Sequence, residues 1–155
     1  MDRIDQKIAG LIQANSQRSN AEIARHVGVS VSTANERLRK LTASGAISAW
    51  RGVLDSQRFG AGLCAFVFVD TEYEGEDALR SALTGCPEVQ ELHHVSGSHS
   101  YLVKIRVADT AAMQAFLQHR LKRQPGVRKT ESIIVLETVK ETTEIAIAEP
   151  VAEVH

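Results

Sequence analysis

Between positions 30 and 40 the chain reads SVSTANERLRK, short hydroxyl and amide side chains followed by cations. Such groups suit contact with double-stranded DNA: Ser, Thr and Asn reach base edges, and Arg or Lys reaches guanine or phosphate. The candidates are Ser30, Ser32, Thr33, Asn35, Glu36, Arg37, Arg39 and Lys40. Glu36 has the wrong sign for phosphate; it either reads cytosine N4 or restrains Arg39 or Lys40. A second concentration of chemistry lies around Gly97-Ser98, where His93, His94 and His99 fall within one expected hairpin. A two-residue loop pairs Ser96 with His99 and His94 with Tyr101, which puts all four on one face. Imidazoles on one face can bind a metal, but no cysteine or carboxylate is clearly placed to complete a site, so no metal is assigned. Cys64 alternates with Phe66 and Phe68 as plain core, and Cys86, before Pro87, has no neighbour that would activate a thiolate. No nucleophile–base pair or phosphate loop stands out, so the chain reads as a non-enzyme without a cofactor.

Three helical patterns must position the first set. Ile4, Ile8, Leu11 and Ile12 recur at helical spacing behind Asp2 as N-cap. Asn20 is expected to cap a short helix with Ala21, Ile23, Ala24 and Val27 inward, stopped by Gly28. Ser30 caps a third helix whose stripe is Ala34, Leu38 and Leu41, ended by Gly45. This is the helix-turn-helix arrangement, here over residues 1–45. Arg18 and Arg51 flank it as further phosphate contacts, and Trp50 suits a core or interface better than base stacking.

After Gly45 the period changes. Residues 46–60 read as a linker or short strand, and 61–70 as a clear strand. A helix at 76–84, strands at 88–96 and 101–108, and a helix behind Asp109 follow. That last helix has Met113, Phe116, Leu117 and Leu121 on one face, and the last strand is expected at 130–138. The order βαββαβ is ferredoxin-like, a sandwich over 61–140, and the class is α+β with a winged-type helix-turn-helix in front. In the strand at 61–70, Cys64, Phe66 and Phe68 oppose Ala65, Val67 and Val69, so both faces are apolar. A sheet with helices on one side only should be polar on the other, which implies a homodimer through the uncovered face. The acidic tail 141–155 is ambiguous; it either adds an edge strand through Ile145 and Ile147 or frays.

The charge divides in the same place. Residues 1–52 hold 8 basic and 4 acidic side chains, net +4, and the remainder is net −5. A basic front on an acidic body indicates that the front meets a polyanion. With 155 residues, 43% of them hydrophobic, the chain is globular rather than disordered. No apolar run is long enough for a membrane span, and MDRIDQKIAG lacks a signal-peptide core. Two cysteines fit a reducing compartment. The expectation is a cytoplasmic, nucleoid-associated protein with no membrane partner.

The run IDQKIAGLIQANSQRSNAEIARHVGVSVSTANERLRKLTASGAISAW resembles the N-terminal module of the Lrp/AsnC family of transcription regulators. LDSQRFG at 54–60, PEV at 87–89, VSGSHSYLVKI at 95–105, PGV at 125–127 and TESIIVL at 130–136 resemble its ferredoxin-like regulatory domain. The resemblance covers residues 2–140 in the family's order. It implies a sequence-specific DNA-binding regulator controlled by a small-molecule effector, an amino acid or related metabolite. It also implies that dimers assemble further into an octamer, with the 96–101 loop at the interface between dimers. The effector candidates carried over are Ser96, Gly97, Ser98, His99, Ser100, Tyr101, Thr130 and Ser132. Ser100 stands where the family usually has an aspartate, and Gly10 where a larger residue is common. The alternative within DNA binding is an architectural protein that wraps DNA with little ligand control.

Overall fold

The computed structural model describes residues 1–147. Contacts divide the described residues into two units, Met1–Gly52 together with residues 140–147, and Val53–Val139.

The first unit is built from α1 (Arg3–Ala14), α2 (Asn20–Val27) and α3 (Val31–Ala43). Local capping sets each start. Asp2 accepts the Asp5 N–H, and Asp5 reaches back to the Asp2 N–H, closing a capping box. A second box shifts the start of α2: Ser19, not Asn20, is its N-cap, paired reciprocally with Glu22. Asn20 instead donates from Nδ2 to Asn35 Oδ1 at 3.1 Å. Gly28 ends α2 at φ +75°, a left-handed conformation that side chains resist. Ile8, Ile12, Ile23, Ala24, Ala34 and Leu41 form the core. Ala21, expected inward, is exposed, because at about 100° per residue it falls on the opposite side of the helix from Ile23.

Residues 46–54 form no strand, so the described residues contain no wing; the Ile47 N–H donates instead to Leu41 O at the end of α3, at 3.0 Å. Trp50 is 45% exposed. The tail makes no edge strand through Ile147 either: Ile145 bonds to the Gln13 side chain on α1 instead. The expected fraying at the chain end falls largely on residues outside those described.

The second unit comprises β1 (Leu63–Thr71), α4 (Glu76–Thr84), β2 (Val89–His94), β3 (Tyr101–Val107), α5 (Thr110–Phe116) and β4 (Val127–Ile134). A wider helical turn, Leu117–Leu121, continues α5. The antiparallel sheet has the order β2-β3-β1-β4. Ala65, Val67, Val69, Val103 and Ile105 pack under Leu79, Leu83, Met113, Phe116 and Leu121. Both cysteines are buried, and the Cys86 thiol donates to Ala82 O.

The last strand begins three residues before its expected start and ends at Ile134 instead of 138. Two glycines explain the early start. A Cβ on Gly75 or on Gly126 would fall 2.7 Å from the other glycine's Cα. The turns before α4 and β4 therefore cross backbone on backbone, and Glu72 N–H donates to Gly126 O there.

Candidate functional site

The helix-turn-helix presents α3 by its N-terminal end. Ser30 Oγ accepts the Thr33 N–H at 3.1 Å and lies within hydrogen-bond distance of the Ser32 and Thr33 hydroxyls. Ser32, Thr33, Asn35, Glu36, Arg39 and Lys40 are exposed, while Ala34 and Leu41 are buried and Leu38 packs beside them. Arg37 is drawn the other way. Its Nη1 lies 2.6 Å from Asp2 and 2.9 Å from Asp5, so it ties α3 to the capping box of α1. Hydrogen bonds to Asp2, then Asp5, raise the Arg37 pKa. The Asp2 carboxyl is held below its usual range by the Asp5 N–H first and Arg37 second. Nothing in the local spacing of α3 announces this pair; the signal was two acids at the start of α1, one at its N-cap and one in its first turn.

Glu36 takes the restraining role left open for it. It makes a two-pronged bond with Arg39, at 2.9 and 3.0 Å, and lies 3.6 Å from Lys40. Arg39 lowers the Glu36 pKa, and Glu36 raises that of Arg39. Both cations nevertheless stay exposed, at 67% and 71% of their side chains, so the pairing aims them without removing them from solvent. Ser32, Thr33, Glu36, Arg37 and Lys40 line one open groove of about 750 Å³ with Met1 and Asp5.

The second candidate set is split. His94 pairs with Tyr101 as expected, and their rings stack at 5.0 Å. The turn is not two residues long, however. Val95 N–H donates to Ser100 O, and Ser100 N–H donates across to Val69 O, which leaves a wide loop between β2 and β3. That geometry undoes the expected pairing of Ser96 with His99. His99 turns to the opposite face from Tyr101, stacks on Phe68 at 4.7 Å and places Nδ1 3.0 Å from Asp70. His94, Ser96, His99 and Tyr101 therefore do not share a face.

Tyr101 is only 1% exposed. Its hydroxyl accepts from Arg80 Nε at 2.7 Å and donates to Glu76, so it is anchored in the core beneath α4. Thr130 and Ser132 pair with Val69 and Val67, on the same side of the sheet as Tyr101. Ser96, Gly97 and Ser98 are exposed, with Gly97 at φ +114°. Ser100 Oγ accepts the Thr71 N–H at 3.3 Å, so its hydroxyl braces the loop against β1. Asp70 and Phe68, the partners of His99, lie about thirty residues away in sequence and carried no local signal. Among the described residues no cluster of His, Cys, Asp or Glu could hold a metal.

A three-helix unit with an exposed polar and cationic helix, joined in one chain to a βαββαβ sheet domain, defines a helix-turn-helix regulator with a second, ligand-binding part. The comparisons make that specific. Residues 1–42 match the AsnC-type helix-turn-helix domain, and residues 64–145 match the Lrp/AsnC ligand binding domain. The chain is 35% identical to the leucine-responsive regulatory protein of Klebsiella pneumoniae, covering 95% of this chain and 92% of that one. It is 34% identical to an HTH-type transcriptional regulator of Pyrococcus horikoshii, over 95% and 97% of the two chains. Its fold is similar to a Neisseria meningitidis transcriptional regulator solved as a complex with L-Met. There the TM-score is 0.89 at 26% identity, over 94% of this chain and 96% of the other. The chain belongs to the Lrp/AsnC family. It is a DNA-binding transcriptional regulator with a ligand-binding domain, not an enzyme. No helix among the described residues is long and apolar enough to cross a membrane.

Proposed function

We propose that this regulator binds discrete operators and that an amino acid or closely related metabolite modulates its DNA affinity or its assembly. The observation that carries the reading is α3, whose exposed N-terminal half holds Ser32, Thr33 and Asn35, with Arg39 and Lys40 one turn on. Ser30, at the positive end of the helix dipole, contacts phosphate. Ser32, Thr33 and Asn35 read base edges, while Arg39 and Lys40 reach guanine or phosphate from the positions Glu36 gives them. Arg37 acts indirectly, by fixing the angle between α1 and α3.

The amino-acid reading is supported by the leucine-responsive name of one relative and the L-Met bound to another. Ser96, Gly97, Ser98, His99 and Ser100 supply the loop side of the effector site, and Tyr101, Thr130 and Ser132 the sheet side. His99 lies on the face of the sheet opposite Tyr101, Thr130 and Ser132, so a complete site needs a second copy. A homodimer that assembles further, to an octamer, meets that need. The dimer buries the apolar uncovered face, where Phe66 pairs with Ile133, itself 49% exposed. Such a protein works in the cytoplasm, on the nucleoid.

Calorimetric titration of the twenty amino acids tests the effector half. At least one is expected to bind and to alter a gel shift on operator DNA. If none binds at millimolar concentration, the effector reading fails and only DNA binding stands. Light scattering that finds a monomer at micromolar concentration contradicts the assembly.

A further inference from the structure

The DNA-binding unit is discontinuous in sequence, because residues 140–147 return to it. Its contact with α1 is specific. Gln13 Nε2 donates to Ile145 O at 2.8 Å, and Gln13 Oε1 accepts the Ile145 N–H at 3.0 Å. Both backbone groups of one residue are thus satisfied by a single side-chain amide, as they would be by a neighbouring strand. Two residues on, Ile147 Cδ1 lies 3.8 Å from the place a Cβ would occupy on Gly10. Gly10 and Gln13 are three apart and share a face of α1. Glycine is a poor helix former; a Cβ here would only just touch Ile147, so a longer side chain is needed to displace it. Ile145 is 70% exposed, so the segment is held at that residue by its backbone. Thr142 Oγ1 accepts the Glu144 N–H at 3.0 Å and shapes the approach.

We infer that residues 140–147 are a clip for α1, recognised as an extended segment through Gln13 and the Gly10 notch and supplied by the same chain. The clip completes the helix-turn-helix unit, so a DNA-binding fragment cut after the linker lacks part of its own structure. It also fastens the chain that follows the ferredoxin-like unit to the first DNA-binding helix.

Hydrogen–deuterium exchange on the full chain tests the clip. Ile145→Pro removes the N–H that Gln13 accepts, at a site whose side chain is mostly in solvent. It should speed exchange in the C-terminal half of α1 about two- to tenfold, the factor one ordinary hydrogen bond is worth. Gln13→Ala should do the same, and the double variant should exchange no faster than the faster single one. Gly10→Leu fills the notch and should release residues 141–147 to rapid exchange. Unchanged exchange in both single variants, or fully additive effects, would overturn the clip. Protection of α1 in the wild type that rises with protein concentration would assign the segment to a second copy and overturn the same-chain assignment.

Discussion

The two units reach their order by opposite routes. The helix-turn-helix unit is specified within short spans: capping boxes at Asp2–Asp5 and Ser19–Glu22, a glycine stop at Gly28, and a small aliphatic core. The ferredoxin-like unit is specified across long ones. Its central strand β1 pairs with β3 and β4, about forty and sixty residues away, and its larger core includes Tyr101, Met113 and Phe116. Local specification positions a binding helix with little more than its own neighbours. Long-range specification brings residues such as Asp70 and His99 together, but leaves their partnership invisible until the register is known.

The largest expected effect probes this contrast in the two cores. Ile8→Ala and Leu79→Ala each empty a fully buried site, for which about 2–5 kcal/mol is the usual cost. The small unit has less buried surface to absorb the loss. In calorimetry Ile8→Ala should abolish the transition of the helix-turn-helix unit, whereas Leu79→Ala should lower that of the ferredoxin-like unit without abolishing it. Equal outcomes would break the comparison.

Next come the two arginines that one helical turn of α3 points apart. Arg39→Ala should weaken operator binding about tenfold or more while leaving the melting profile unchanged. Arg37→Ala should lower both the helix-turn-helix transition and binding, because it releases Asp2 and Asp5. If Arg37→Ala lowers binding alone, it contacts DNA directly.

A smaller effect is expected at the loop. Ser100→Asp can keep an acceptor for the Thr71 N–H and adds a charge-assisted partner for an α-ammonium group. Amino-acid affinity should rise about threefold to tenfold by titration, the difference between a charged and a neutral hydrogen bond. Unchanged affinity would place the ammonium elsewhere.

Acid gives the smallest effect and sharpens the comparison again. Asp2, Glu22 and Glu36 are all lowered: Asp2 by the Asp5 N–H and Arg37, Glu22 by its bonds to Ser19, and Glu36 by Arg39. A lowered carboxyl contributes stability that is present above its unfolded value, about pH 4, and lost as pH falls through its folded one. In the ferredoxin-like unit Glu91 is lowered in the same way, by His93 first and Lys104 second. With three such groups against one, the helix-turn-helix transition should fall first as samples are melted at decreasing pH below about 4.

The same contrast decides what the sequence could say. Period, caps and glycines place α1 to α3, and alternation places β1 and its two apolar faces, because each signal lies within one element. The start of α2 moved by one residue because Ser19 and Asn20 both suit an N-cap, and only Glu22 chooses between them. The early start of β4 depends on Gly75 meeting Gly126, fifty residues apart. The candidate DNA-binding face was legible except for Arg37, whose acids lie on another helix. The loop site was legible only as a set of residues. Their division between two faces depends on Ser100 bonding to Val69 and Thr71, which no hairpin rule contains.

In the proposed function α3 selects DNA sites and a small ligand, bound in the other unit, changes their occupancy. A genome-wide binding profile of the intact protein, taken with and without amino-acid supplementation, tests it most directly. Discrete sites whose occupancy shifts with at least one amino acid are the expected result. Extended, sequence-tolerant coverage that no amino acid alters would contradict it and describe an architectural DNA-wrapping protein instead.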